Sequence, residues 1–277
     1  MVFSWIKLIN EKIKFFLLFF VATALLNGCS SSNTEYKERS VADIYNHAHE
    51  LLQKDEYTLA AKEFNEVDRQ HPYSPWAKKA QLMAAYAFFE AQKYNDAIDN
   101  LDIFIQLHPG HKDIDYAYYL LAMCYYEQVP TIDRDQKITR KAKNAFNELI
   151  KRYPKSKYAR DARIKLDLVI DHLAGHEMEI GRYYQTIWND LAAMNRFKRV
   201  VSLYETTSHA PEALFRLVEV YLSLGMPKEA QLAAAILNHN FQDSYWYKDA
   251  YGLLREYAKN KNYKHFSFEE DAVDKKD

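Results

Sequence analysis

AKNAFNELIKRYP, residues Ala142 to Pro154, is the stretch that decides the fold. A small residue is followed four positions later by a large apolar one, and proline closes the run. Aligned on that proline, Ala60, Ala97, Ala142, Ala193 and Ala230 fall in one column, and Phe64, Leu101, Phe146, Phe197 and Ala234 in a second. The segment ends fall at Pro72, Pro109, Pro154, Glu205 and Gln242, so proline is kept in three and replaced in two. Eight residues beyond each end stand Ala80, Ala117, Ala162, Ala213 and Ala250, each inside the next helical run.

Small residues at fixed places mark where two helices approach closely, and a large residue one turn on fills the gap between them. Proline then stops the second helix of each pair. Successive ends lie 37, 45, 51 and 37 residues apart, in the range of helical repeat arrays. The pattern resembles tetratricopeptide repeats: a small residue at Ala48 or Ala85, alanine twelve positions on at Ala60 or Ala97, then Phe or Leu, then proline. A Pro-x-Ser turn, as in Pro72-Tyr73-Ser74 and Pro154-Lys155-Ser156, lengthens the unit beyond the usual ~34 residues. The expected class is all-α, a solenoid of five tetratricopeptide-like helix pairs with a C-terminal capping helix.

Helix pairs are predicted near 41–53 with 57–70, 75–91 with 94–107, and 113–127 with 140–152, from apolar residues spaced at three and four. Gln128 to Thr139, QVPTIDRDQKIT, reads as a surface loop. From Tyr158 to about Trp188 there is no proline, and Gly175 and Gly181 are the only breakers, so one long helix precedes a second near Leu191. The fifth pair is expected near 211–223 and 228–240, and a cap near 245–259 closes the array. Ser267 to Asp277 lacks periodicity and reads as a disordered tail.

At the N-terminus Lys7, Lys12 and Lys14 precede a charge-free apolar run of twelve residues, Phe15 to Leu26. A membrane-spanning helix needs ~20 apolar residues, so residues 1–28 read as an export signal that is removed rather than as an anchor. Leu26-Asn27-Gly28-Cys29 resembles the lipobox of bacterial lipoproteins. That likeness implies cleavage before Cys29, an S-diacylglycerol and an N-acyl chain on it, and stable anchoring, which takes more than one acyl chain. Ser30 follows in place of the Asp that retains many such proteins at the inner membrane, so outer-membrane sorting is implied. The alternative is that Cys29 is an ordinary thiol. Residues 29–40 then form a lipidated flexible tether. Residues 41–154 hold repeats 1–3, and 155–260 hold repeats 4–5 with the cap. Residues 261–277 form the tail.

With Cys29 lipidated, Cys124 is the one thiol left, so no internal disulfide forms; within YYLLAMCYY it packs as a small apolar residue. Removing residues 1–28 leaves 34 basic and 37 acidic residues, a net charge of −3, with nothing that calls for nucleic acid. The sequence contains no phosphate-binding glycine loop, Gly-x-Ser-x-Gly, His-Glu-x-x-His or paired cysteine motif. It has six glycines in 277 residues, against the usual share of about 7 %. Catalysis is therefore disfavoured, and no cofactor is called for beyond the covalent lipid. His172 and His176, at an i, i+4 spacing, could hold a metal, but no third ligand is indicated and both fall on a polar helix face, so no metal is assigned.

Two surfaces remain. On the tetratricopeptide frame the first helices line a groove, which places Tyr45 and His49, then Leu82, Tyr86 and Phe89, then Tyr119, Met123 and Tyr126, along it. Aromatics supply large contact area at low entropic cost, and such a cleft suits an extended segment bearing aromatics of its own; the alternative is that these side chains form core. The second surface, Ala192-Ala193-Met194-Asn195-Arg196-Phe197-Lys198-Arg199, opens a helix with three cations and Phe197 directed to the core. Arg196 has no acid three or four residues away, so it is available to pair bidentately with a carboxylate of a partner; the alternative is a solvated face.

The lipobox, five repeats, Asp133-Arg134-Asp135 in the third repeat, Asn195-Arg196 opening the second helix of the fourth, and Ile114-Asp115-Tyr116 together resemble the BamD family of the outer-membrane β-barrel assembly machine. The resemblance spans essentially the whole chain. It implies a non-enzymatic lipoprotein scaffold of a Gram-negative outer membrane, facing the periplasm and held to the membrane through its lipid alone. It implies binding to the last POTRA domain of BamA through the C-terminal repeats, with Arg196, beside Asn195 and Arg199, meeting an acidic BamA residue. It also implies reception of the aromatic-ended signal of unfolded outer-membrane proteins around Tyr45, Tyr86, Phe89 and Tyr119, alongside other Bam lipoproteins. Two other readings are another repeat-scaffold lipoprotein, one coordinating division or peptidoglycan synthesis, and a metal hydrolase built on His172 and His176. Cys29→Ala is expected to release the protein into the soluble periplasm, measured by fractionation; a variant still wholly membrane-bound would mean another anchor.

Overall fold

A computed structural model describes residues 38–261. The signal segment, Cys29, most of the tether and the tail therefore lie outside the described residues. Among the described residues there are eleven helices: α1 (Val41–Gln53), α2 (Tyr57–Gln70), α3 (Pro75–Glu90), α4 (Tyr94–Leu107), α5 (Ile114–Tyr126), α6 (Lys137–Arg152), α7 (Ala159–Thr186), α8 (Asp190–Leu203), α9 (Ala210–Ser223), α10 (Pro227–Phe241) and α11 (Tyr245–Lys261). No helix among them is long and apolar enough to cross a membrane.

The chain is an α-solenoid of five helix pairs and a cap, because each helix packs chiefly against the one before and the one after it. Contacts also run between first helices of adjacent pairs, α1 with α3 and α3 with α5, while α11 lies on α9 and α10. The alanine columns explain the spacing. Ala60, Ala97, Ala142, Ala193 and Ala230 have no accessible surface, nor have Ala80, Ala117, Ala162, Ala213 and Ala250. Phe64, Leu101, Phe146 and Phe197 are equally buried, and Ala234 nearly so. The apolar core forms two clusters, one from Ile44 to Cys124 and one from Ala122 to Leu254, which meet on α5. Cys124 is buried among these residues as a free thiol, and burial pushes it up to about 12.

Two recurring turns connect the helices. Between pairs, Ser74, Ser156 and Ser244 each donate a backbone N–H to the carbonyl of His71, Tyr153 and Phe241 at 2.9, 3.0 and 2.9 Å. Their hydroxyls accept from the N–H of Trp76, Tyr158 and Trp246 at 3.2, 3.1 and 3.2 Å, satisfying donors at the start of the next helix. Proline ends one helix and serine opens the next, which accounts for the Pro-x-Ser spacing. Within pairs, Asp55, Gln92, Trp188 and Gly225 take one equivalent place with φ of 60°, 57°, 59° and 72°. The following N–H reaches back to the carbonyl of Leu51, Phe88, Tyr184 or Tyr221 at 3.0, 2.9, 2.9 and 2.8 Å, the bond of a Schellman turn. Three of these four positions carry side chains in a conformation that costs ~1–2 kcal/mol without glycine.

Two expectations need correction and one is met. The segment 128–139 is not loop throughout: α6 begins at Lys137, whose N–H is accepted by the Asp135 carboxylate at 2.7 Å. Gln136, fully buried, donates to the carbonyls of Thr131 and Arg134, both at 2.9 Å, and accepts from the Thr139 hydroxyl at 2.6 Å. The single long helix expected between Tyr158 and about Trp188 is present, since α7 runs 28 residues through Gly175 and Gly181 without interruption. Gly181 instead makes room: a Cβ there would lie 2.4 Å from the Phe197 ring of α8. Finally, the face that His172 and His176 share is partly covered rather than open polar surface. His172 Nε2 is buried without a hydrogen-bond partner, and His176 Nδ1 donates to the Ile132 carbonyl of the loop before α6.

Gly181→Ala tests the close approach of α7 and α8. Helix propensity alone favours alanine by about 1 kcal/mol, yet Phe197 is fully buried and its ring cannot yield, so a net loss of ~1–3 kcal/mol is expected. Thermal unfolding reads the sign: a raised midpoint would show that the contact relaxes freely.

Candidate functional site

The first surface is built on α5. Tyr116, Tyr119, Met123 and Tyr126 follow one another at three, four and three residues, hence on one face of the helix, and all are half-buried. Tyr158, at the turn into α7, lies 5.3 Å from Tyr116 and stacks on Tyr119 at 5.0 Å. The Tyr119 hydroxyl donates to Asp161 Oδ2 at 2.7 Å. Burial, then this bond to a carboxylate, holds the Tyr119 phenol well above the ordinary tyrosine range; burial does the same to Tyr116. Lys165 Nζ sits 3.5 Å from Asp161 and 5.5 Å from the centre of the Tyr126 ring. Tyr86 on α3 is raised by burial and by Glu90, and Phe89 meets Tyr94 edge-on at 5.7 Å.

The structure thus brings Tyr119, Met123 and Tyr126 together with four residues absent from the expected groove, Tyr116, Tyr158, Asp161 and Lys165. Tyr116 could have been found, since it precedes Tyr119 by three residues in a helix already identified. Tyr158 and Asp161 could not, because only the fold sets the start of α7 against α5. Tyr45 and Leu82 belong elsewhere. At 6 % and 7 % exposure they are core, Tyr45 packed 5.3 Å from Phe64 and 4.8 Å from Trp76 with Lys79 Nζ over its ring. A helix face wide enough to bury itself against two neighbours leaves less for a groove than the repeat frame suggests. His49, by contrast, is exposed.

The second surface is on α8. Asn195 and Arg199 are exposed, and Arg196 is half-buried. Arg196 is not without a partner: its Nη1 donates to Glu177 Oε2 at 3.0 Å, and Arg199 Nη2 lies 3.1 Å from the other oxygen, Oε1. Glu177 is on α7, nineteen residues back from Arg196, which is why a search three and four residues along α8 finds no acid. The carboxylate is only 8 % exposed, whereas the two arginine side chains keep 33 % and 53 % of their surface. Tyr204, whose phenol is raised by burial and by Glu177, closes the α7–α8 side, with Lys143 Nζ of α6 5.6 Å from its ring centre. Along the outer edge of α8, Leu191, Asn195, Arg199 and Leu203 recur every four residues and are all exposed.

Among the described residues no group of three or more His, Cys, Asp or Glu side chains could hold a metal. What the two surfaces offer is contact: stacked phenols with a carboxylate on one, and a pair of partly solvated guanidiniums on the other.

A family model described as an outer membrane lipoprotein, YfiO, matches residues 37–236. Among curated relatives, the outer membrane protein assembly factor BamD of Caulobacter vibrioides is 44 % identical over 240 residues, covering 85 % of this chain and 79 % of that protein. The BamD of Rickettsia prowazekii is 44 % identical over 234 residues, covering 84 % and 93 %. The BamD of Neisseria meningitidis is 32 % identical over 235 residues, covering 79 % and 88 %. Among solved structures, a tetratricopeptide-repeat protein of Bacteroides fragilis aligns with a TM-score of 0.39 and 15 % identity over 79 % of this chain and 86 % of that one, too loose to add to the fold described above.

Proposed function

The chain belongs to the BamD family of outer membrane protein assembly factors, and from that premise we propose that it works as a scaffold, without a chemical step. It is an outer membrane protein assembly factor of a Gram-negative envelope. In this reading Cys29 carries the lipid that holds it to the outer membrane on the periplasmic side. Its C-terminal repeats, 155–260, dock the last POTRA domain of BamA, other Bam lipoproteins join the assembly, and repeats 41–154 receive unfolded outer-membrane proteins.

The observation that carries the docking is the state of Arg196. It lies on an exposed helix, with one donor engaged by Glu177 and a third of its side-chain surface free. A guanidinium presents its N–H groups as a rigid fork, so the N–H groups that Glu177 leaves idle can donate to the carboxylate of an acidic residue of a partner. Asn195 and Arg199 border the same face. For the substrate side, support comes from the aromatic face of α5 and Tyr158, where stacked rings offer apolar area with hydroxyls and the Asp161 carboxylate at the rim. Tyr86 and Phe89 on α3 extend that surface, whereas Tyr45 and Leu82 do not, being core.

Two measurements test these surfaces. Residues 30–277 are expected to bind the isolated POTRA domains of BamA, Arg196→Glu is expected to weaken this by a hundredfold or more, at ~1.4 kcal/mol per tenfold, and wild-type binding is expected to fall on raising salt. Equal binding by both proteins would remove Arg196 from the interface. Separately, Tyr119→Ala with Tyr158→Ala is expected to weaken binding of an aromatic-ended β-strand peptide while leaving POTRA binding unchanged. A peptide affinity equal to wild type would leave the α5 face without that role.

A further inference from the structure

We propose that Glu177 is the positioning residue of the α8 docking face, holding Arg196 and Arg199 in place from the buried side before a partner arrives. This rests on the docking role given to Arg196 above and adds to it the means by which the arginines are presented.

Glu177 is buried in the middle of α7, yet both its oxygens are used outward, one on each arginine, at 3.0 and 3.1 Å. Arg196 and Arg199 stand one helical turn apart on α8 and carry like charges, which repel at that separation. A carboxylate set between and beneath them reverses the sign of that interaction. It draws the two guanidiniums toward the same point and holds each by one edge. Side chains of this length otherwise lose substantial rotamer freedom on binding; here the α7–α8 packing has already restricted it. The Gly181–Phe197 contact adjoins this arrangement, since Phe197 follows Arg196 in sequence and its ring is seated against α7.

Charge sets the ligand. Two guanidiniums and one buried carboxylate leave one positive charge unanswered at the surface. The N–H donors not turned toward Glu177 are solvated, on side chains 33 % and 53 % exposed. The complement is one further acidic side chain, placed on the solvent side as Glu177 is placed on the buried side. The alternative role for Glu177, an internal acid that competes with the partner for the same arginines, gives the opposite result when its charge is removed.

The test compares wild type, Glu177→Gln, Arg196→Ala and the double variant of residues 30–277 for binding to the BamA POTRA domains, with helicity and unfolding midpoint measured on each. Positioning predicts that Glu177→Gln weakens binding roughly tenfold through lost preorganisation. It also predicts that Glu177→Gln adds little further loss when Arg196 is already alanine, and that Glu177→Asp restores part of the affinity. Glu177→Gln that binds as wild type, or more tightly, overturns the proposal while Arg196→Ala still confirms the docking reading; Arg196→Ala that binds as wild type overturns both. If Glu177→Gln does not fold, the wild-type protein suffices. Side-chain Nε–H relaxation is expected to show Arg196 and Arg199 ordered before any partner is added, unlike the exposed Arg160, and mobile guanidiniums would overturn the proposal.

Discussion

Everything in this molecule depends on how closely the two helices of a pair can approach. Alanine at Ala60, Ala97, Ala142, Ala193 and Ala230 leaves no side chain to hold the axes apart, and a bulky residue one turn later occupies the space that remains. Where the fourth pair carries Phe197 against a helix of 28 residues, even a methyl group is too much, and Gly181 supplies the last of the room. Dispersion contacts fall off so steeply with distance that a gap of an ångström between two helices forfeits much of the attraction, while an overlap of an ångström forces the backbone to move. A repeat built this way admits little variation in its small positions and a good deal at its surface.

Polar groups follow from the same packing. Because α7 and α8 lie close and antiparallel, an acid buried on one can reach cations exposed on the other, and Glu177 does so with both oxygens. A second ion network ties α7 to α9. Arg182 donates to both oxygens of Glu212, and Arg216 reaches Glu212 and Glu219. Burial raises the Glu212 carboxyl, but the guanidiniums of Arg182 and Arg216 outweigh it and leave it below its ordinary value. The two networks differ in what they leave over. The Arg182 fork is spent on Glu212 and Glu179, whereas Arg196 and Arg199 each give one edge to Glu177 and keep the rest toward water.

The aromatic face obeys a related rule. Tyrosine occurs twenty-two times in this chain, and a tyrosine on a helix face can be core, rim or open surface according to what stands opposite. Tyr45 faces Phe64 and Trp76 and is core; Tyr119 faces Tyr158 and Asp161 and keeps its hydroxyl at the rim. The helical period places both on a first helix but is silent about the neighbour. Hence the repeat frame located Tyr119, Met123 and Tyr126 on one face and misassigned Tyr45 and Leu82.

Local chemistry specifies the helix count among the described residues, the pairing order and nearly every boundary, through alanine spacing, the proline stop and the serine that caps the next helix. The family resemblance was legible too, in the lipobox and in Asp133-Arg134-Asp135 and Asn195-Arg196, each standing once at a fixed place relative to the repeats. The tertiary structure alone decided which charges are satisfied and which rings are exposed. Glu177 and Arg196 are nineteen residues apart, and Tyr119 and Asp161 forty-two. No pattern of period three or four connects such positions, and their contact is set by the crossing of helices packed on buried alanine.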